Sequence, residues 1–72
     1  MSNFINDDIV IDFKIPGMIQ EMIDYAVEAD ARNSYGDYQT YADMIDVMGK
    51  NLYAEGLITR KMWDTLVMKY PQ

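Results

Sequence analysis

From Tyr38 to Tyr53 the apolar side chains recur every three or four positions, and no other feature constrains the fold as strongly. Tyr38, Tyr41, Ala42, Ile45, Met48, Gly49, Leu52 and Tyr53 keep to one stripe. Asp43, Asp46 and Lys50 fall on the other side. The spacing predicts a helix over about residues 37–55, roughly five turns long. A helix with one apolar stripe must lay that stripe against something. The flanking segments have to supply it.

Two further helices are readable. Ile19, Met22, Ile23, Ala26 and Ala29 or Asp30 fall at helical spacing, with Glu21, Asp24 and Glu28 on another face. This predicts a first helix over about 16–31, with Pro16 suited to its first turn. "RNSYGDY" then reads as a turn. Ser34 or Asp37 can cap the next helix, and Asp37 suits the positive end of its dipole. Gly56 is placed to close the second helix in a left-handed conformation. Leu57 and Ile58 are expected to plug the end of the core. Thr59 is positioned to cap a third helix over about 60–70, with Met62, Trp63, Leu66, Val67 and Tyr70 inward and Pro71 ending it. Gly49 costs ~1 kcal/mol relative to Ala inside a helix. Close approach of a neighbouring helix would give it a use, and a simply tolerated glycine is the plainer reading.

The segment before Pro16 has a different period. Ile9, Ile11, Phe13 and Ile15 alternate with Val10, Asp12 and Lys14. That is the pattern of a half-buried strand. No second strand exists for it to pair with, and backbone donors and acceptors need partners. The arm over about 9–15 can stay disordered, lie against its own helices, or pair outside the chain. Its Ile, Val and Phe content argues against disorder. We favour pairing with a second copy in an antiparallel ribbon across a two-fold axis, ahead of the packed arm. A sheet edge on another protein would also serve.

The expected architecture is therefore one all-α domain over residues 1–72. It is a three-helix bundle over 16–72 preceded by an extended or β-strand arm over 1–15. A core in a chain of 72 residues usually supplies only ~3–5 kcal/mol of net stability. With no Cys and no His in the chain, disulfides and the commonest zinc ligands are missing, which leaves association as reinforcement. No apolar run exceeds three residues, so no membrane span is expected. The N-terminus does not read as a signal peptide, and the lack of Cys fits a cytoplasmic setting.

The charge is −6 overall and uneven. In residues 1–46 ten acids face only Lys14 and Arg32, a net of −8. In residues 47–72 Glu55 and Asp64 face Lys50, Arg60, Lys61 and Lys69, a net of +2. Solubility accounts for such an imbalance. A partner with a basic surface is the sharper reading.

Reactive chemistry finds little support. The usual nucleophile–base pairs need Cys or His. Asp24 with Glu28, and Asp43 with Asp46, lie on solvated faces rather than in a site that would raise a carboxylate pKa. The Asp30–Asp37 turn fails as a calcium loop. With Gly36 at the sixth position, Ala31 and Ala42 stand where carboxylates are required. Gly17, Gly36, Gly49 and Gly56 are too scattered for a phosphate loop. No cofactor, metal or small-molecule substrate is expected, and no enzyme activity.

Residues 52–70, "LYAEGLITRKMWDTLVMKY", are the one stretch with a family likeness. They resemble the SHOCT type of short helical hairpin. Gly56, Ile58 and Thr59 match its turn, and Trp63 stands where that family has an aromatic residue. The acidic residues that follow the threonine in the family are replaced here by Arg60, Lys61 and Met62. The resemblance implies a small interaction or oligomerisation module.

The expected function is thus a small acidic protein–protein interaction module, homodimeric through its arm. Ile9, Ile11, Phe13, Tyr35 and Tyr38 are the candidate contacts, because tyrosine joins a flat apolar body to a polar tip. The alternatives are a helix-turn-helix-like DNA-binding regulator contacting DNA through Arg60, Lys61 and Lys69, and an acidic mimic of nucleic acid. Net negative charge disfavours nucleic-acid binding, which needs phosphate neutralisation.

Overall fold

The computed structural model describes residues 1–72. It contains α1 (Gly17–Ala31), α2 (Tyr35–Ala54) and α3 (Arg60–Lys69), and no strand. The two turns reverse the chain by the same device. At the end of α1, Asn33 takes φ 55, its N–H donates to the Asp30 carbonyl and that of Ser34 to the Ala29 carbonyl. At the end of α2, Gly56 takes φ 76, its N–H donates to Tyr53 and that of Leu57 to Leu52. Both are Schellman caps, which satisfy last-turn carbonyls with a left-handed residue. Asn pays a small penalty for that conformation and Gly pays none.

Helix starts are less uniform. Thr59 caps α3 by accepting the Met62 N–H at 3.1 Å, while the Met62 sulfur accepts the Thr59 N–H at 3.4 Å. This is a capping box with a thioether where glutamate or glutamine usually stands. Ser34 precedes α2 without a side-chain cap. That helix begins two residues earlier than the spacing suggests, and Asp37 sits in its first turn, bound to Arg32 at 3.3 Å.

Ile19, Ile23, Ala26, Ala29, Tyr38, Ala42, Ile45, Leu66 and Tyr70 form the core. α2 packs closely on both neighbours, whereas the backbones of α1 and α3 stand farther apart. The space between them is closed by the arm, whose Phe4, Ile5, Ile11, Phe13 and Ile15 are half-buried against the core. On the α3 side, a Cβ on Gly49 would lie 2.7 Å from Cδ1 of Trp63. Gly49 is the close-approach residue that its place on the stripe allowed.

Two expectations are corrected here. Residues 9–15 do not form a β-strand; the arm carries bends and one turn and has no ladder partner in the chain. Leu57 does not plug the core. It is 65% exposed and Ile58 is buried, because consecutive residues leaving the left-handed Gly56 point apart and only one can face inward.

Candidate partner surface

The arm is held by two charged side chains from opposite sides of the bundle. Asp30, at the end of α1, is 5% exposed. Its Oδ1 accepts the N–H groups of Phe4 at 2.6 Å and Ile5 at 3.2 Å, and its Oδ2 accepts that of Asn3 at 3.2 Å. Three converging backbone donors form a concavity suited to an anion. The Asn3 side chain adds a bond to the Asp30 carbonyl at 2.6 Å. Lys69, ending α3, donates from Nζ to the Ile9 carbonyl at 2.7 Å and the Asn6 carbonyl at 3.4 Å. The Asn6 N–H donates to the Lys69 carbonyl at 2.9 Å. Residues 3–9 thus bridge α1 and α3, and most of their N–H groups are satisfied.

Residues 10–15 differ. None of them makes a hydrogen bond within the chain. Their side chains nevertheless alternate as the sequence suggests. Ile9, Ile11, Phe13 and Ile15 are half-buried; Val10, Asp12 and Lys14 are exposed, Val10 by 78%. One side is covered by the protein's own helices, and the N–H and C=O groups between the two sides are open.

Beside the arm lies an aromatic cluster. Phe4 meets Tyr35 edge-on at 5.1 Å and Tyr38 at 5.2 Å. Tyr38 is corrected as a candidate contact. It is 0% exposed, and its hydroxyl donates to the Pro71 carbonyl at 2.8 Å. Its place on the apolar stripe already indicated the core. Burial, with Asp30, Tyr70 and Tyr35 nearby, pushes its phenol far above the ordinary tyrosine range. Tyr70 is also raised, mainly by burial and then by Asp24. Tyr35 remains exposed.

Arg60, Lys61 and Lys69 do not present three free charges together. Arg60 pairs with Asp64 at 3.1 Å and lies over the Trp63 ring at 5.0 Å. Its hydrogen bond to Asp64 first, then that residue's charge, raises its pKa. Lys69 holds the arm. Lys61 alone is exposed without a charged partner. The indole is fixed in turn: Nε1 of Trp63 donates to Asp46 at 2.9 Å, and Tyr53 stacks on the ring at 5.6 Å.

Two concavities remain. A cleft of about 500 Å³ lies between the arm and the ends of α1 and α3, with Asp30 and Lys69 in its wall. Both of those groups already bind arm backbone. A smaller groove of about 390 Å³ runs along α2, lined by Asp43, Met44, Val47, Met48 and Asn51. No three carboxylates gather into a group able to hold a metal ion. No helix is long and apolar enough to cross a membrane.

Sequence reasoning missed Asp30 as the arm's anchor. Its only signal was an acid on the inner face of the first helix, where an aliphatic residue would be ordinary. The fold defines the class: a small all-α three-helix domain with an N-terminal arm latched across it. Comparison with known proteins finds no matching family model, no matching curated protein and no matching solved structure.

Proposed function

We propose that this chain is a small acidic, non-catalytic protein–protein interaction module that self-associates through the open edge of its arm. The observation that carries this reading is the stretch 10–15. Its apolar side is already covered by helices, and its backbone groups have no partner in the chain. An isolated two-stranded ribbon is marginal in water and needs such cover. An antiparallel pairing of two arms across a two-fold axis then satisfies one edge of each arm at once. Ile9, Ile11 and Phe13 act from beneath, as the packed side of the ribbon, and Tyr35 lies against Phe4 at the beginning of the arm. The likeness of residues 52–70 to a SHOCT hairpin fits the same role.

The DNA-binding alternative is weakened by the engagement of Arg60 and Lys69. No retardation of duplex DNA at low salt is its expected result. Light scattering after gel filtration tests the dimer. The expected mass at micromolar concentration is twice 8.4 kDa, and a monomer removes the reading. Asp12→Pro is the sharper variant. Asp12 is exposed and its N–H binds nothing in the chain, so proline removes an edge donor and leaves the core untouched. The variant is expected to run as a folded monomer; an unchanged dimer mass would exclude the ribbon.

A further inference from the structure

We infer that the outer seam between α1 and α2 is a second binding site, separate from the arm's edge, and that it takes a basic amphipathic helix of another protein. The two helices reverse at Arg32–Ser34 and lie side by side, with Tyr25 stacked on Tyr41 at 5.1 Å. From that stack, Met22 and Met18 follow at i−3 and i−7 along one face of α1. Met44 and Met48 follow at i+3 and i+7 along one face of α2. The two methionine rows therefore run in parallel away from the tyrosines. Met18, Tyr25, Met44 and Val47 are exposed, while Met22 and Met48 are half-buried. Met44, Val47 and Met48, with Asp43 and Asn51, wall the 390 Å³ groove, whose lining comes from α2 alone.

The chemistry of the surface selects the occupant. Unbranched, polarizable methionine adapts to varied apolar partners and is common on surfaces that grip amphipathic helices. The rim is acidic. Glu21 lies one turn from both Met18 and Tyr25, Glu28 one turn from Tyr25, and Asp43 lines the groove on the α2 side. Glu28 has only a 3.9 Å contact with Arg32, and Glu21 and Asp43 have no ion-pair partner. α1 carries no Lys or Arg, and the single one in α2, Lys50, shares the Asp43 face of that helix, one turn from Val47. An apolar trough whose α1 wall carries Glu21 and Glu28 and no cation complements a helix with one apolar face and a basic flank.

The test uses the full chain and a synthetic leucine–lysine peptide of about 18 residues, with leucines at helical spacing. Methionine-methyl NMR reads it out. The signals of Met18, Met22, Met44 and Met48 are expected to shift, those of Met1, Met62 and Met68 to stay, and binding to weaken as salt rises. Met18→Gln with Met44→Gln, which removes apolar surface without adding charge, should lower affinity at least about tenfold. Both side chains are exposed, so the circular dichroism should be unchanged. Shifts at Met62 or Met68, full affinity in the double variant, or equal binding of a scrambled peptide of the same composition would overturn the site. Methyl shifts that track protein concentration without peptide would assign the face to a second copy and overturn the peptide assignment. The dimer's mass and this readout are independent, so either proposal can fail alone.

Discussion

Asp30 sits within the apolar stripe of α1, yet it is a fixed acceptor for three arm amides. Hydrogen bonds to a charged group are worth ~1.5–3 kcal/mol each, and buried donors left without a partner are penalised as well. Asp30→Ala is expected to lower stability by about 2–4 kcal/mol in urea denaturation. Amide exchange at Phe4 and Ile5 should rise at once. Intact protection of those two amides in the variant would refute the latch. Gly49 offers a second test. Alanine there gains ~1 kcal/mol of helix propensity, but its methyl meets the Trp63 ring at 2.7 Å. The indole cannot swing away easily, because it is bonded to Asp46 and stacked on Tyr53. Overpacking of this kind costs ~1–3 kcal/mol, so Gly49→Ala should destabilise on balance. The chain's single Trp makes its fluorescence a direct monitor, and a stabilised variant with an unshifted spectrum would contradict the close approach.

At the scale of elements, the arm closes the space between α1 and α3. Its Phe4, Ile5, Ile11, Phe13 and Ile15 cover core that neither helix covers. Even half-burial of such side chains contributes on the order of 1 kcal/mol each, against ~3–5 kcal/mol for a domain of this size. A chain shortened to residues 16–72 is expected to lose its cooperative thermal transition. A sharp melt, with near-native helicity, would show that the helices suffice. The elements also divide what is legible in sequence from what is not. The inner faces of α1 and α2 were readable because helical period is local information: Ile19, Ile23, Ala26, Ala42 and Ile45 are buried as their spacing requires. The left-handed ends were readable where Gly56 stands and less so at Asn33, which tolerates that conformation without demanding it. The alternation of residues 9–15 was equally legible, and it survives as alternating exposure. The sequence pattern could not say what the apolar side covers. That depends on Asp30 and Lys69, which lie 25 to 27 and 60 to 63 residues from the arm residues they hold, and no local period encodes such distances.

For the whole molecule, the buried phenols set the alkaline limit. Tyr38 and Tyr70 have folded-state pKa values above the ordinary value of 10.0 because burial disfavours the charged form. Below about pH 10 both states keep these protons, and the contribution is fully present. Above it, the unfolded chain loses protons that the folded one retains. The unfolded state then binds fewer protons, so stability falls as pH rises. The expected slope approaches about 1.4 kcal/mol per pH unit for each such tyrosine. Absorbance titration should show the Tyr38 and Tyr70 phenols ionising only as the fold is lost. All six tyrosines titrating together near pH 10 with helicity intact would refute the buried pair.

The amide of Asn6 is bound to the carbonyl of Lys69. During synthesis the arm leaves the ribosome before the helices do, and its latch to α3 cannot close until that helix has followed. For that interval its Ile, Val and Phe side chains and its open backbone are exposed together, a combination that invites wrong strand pairing. The acids at Asp7, Asp8 and Asp12 flank and interrupt that stretch, a placement of charge that disfavours non-native aggregation of an apolar segment.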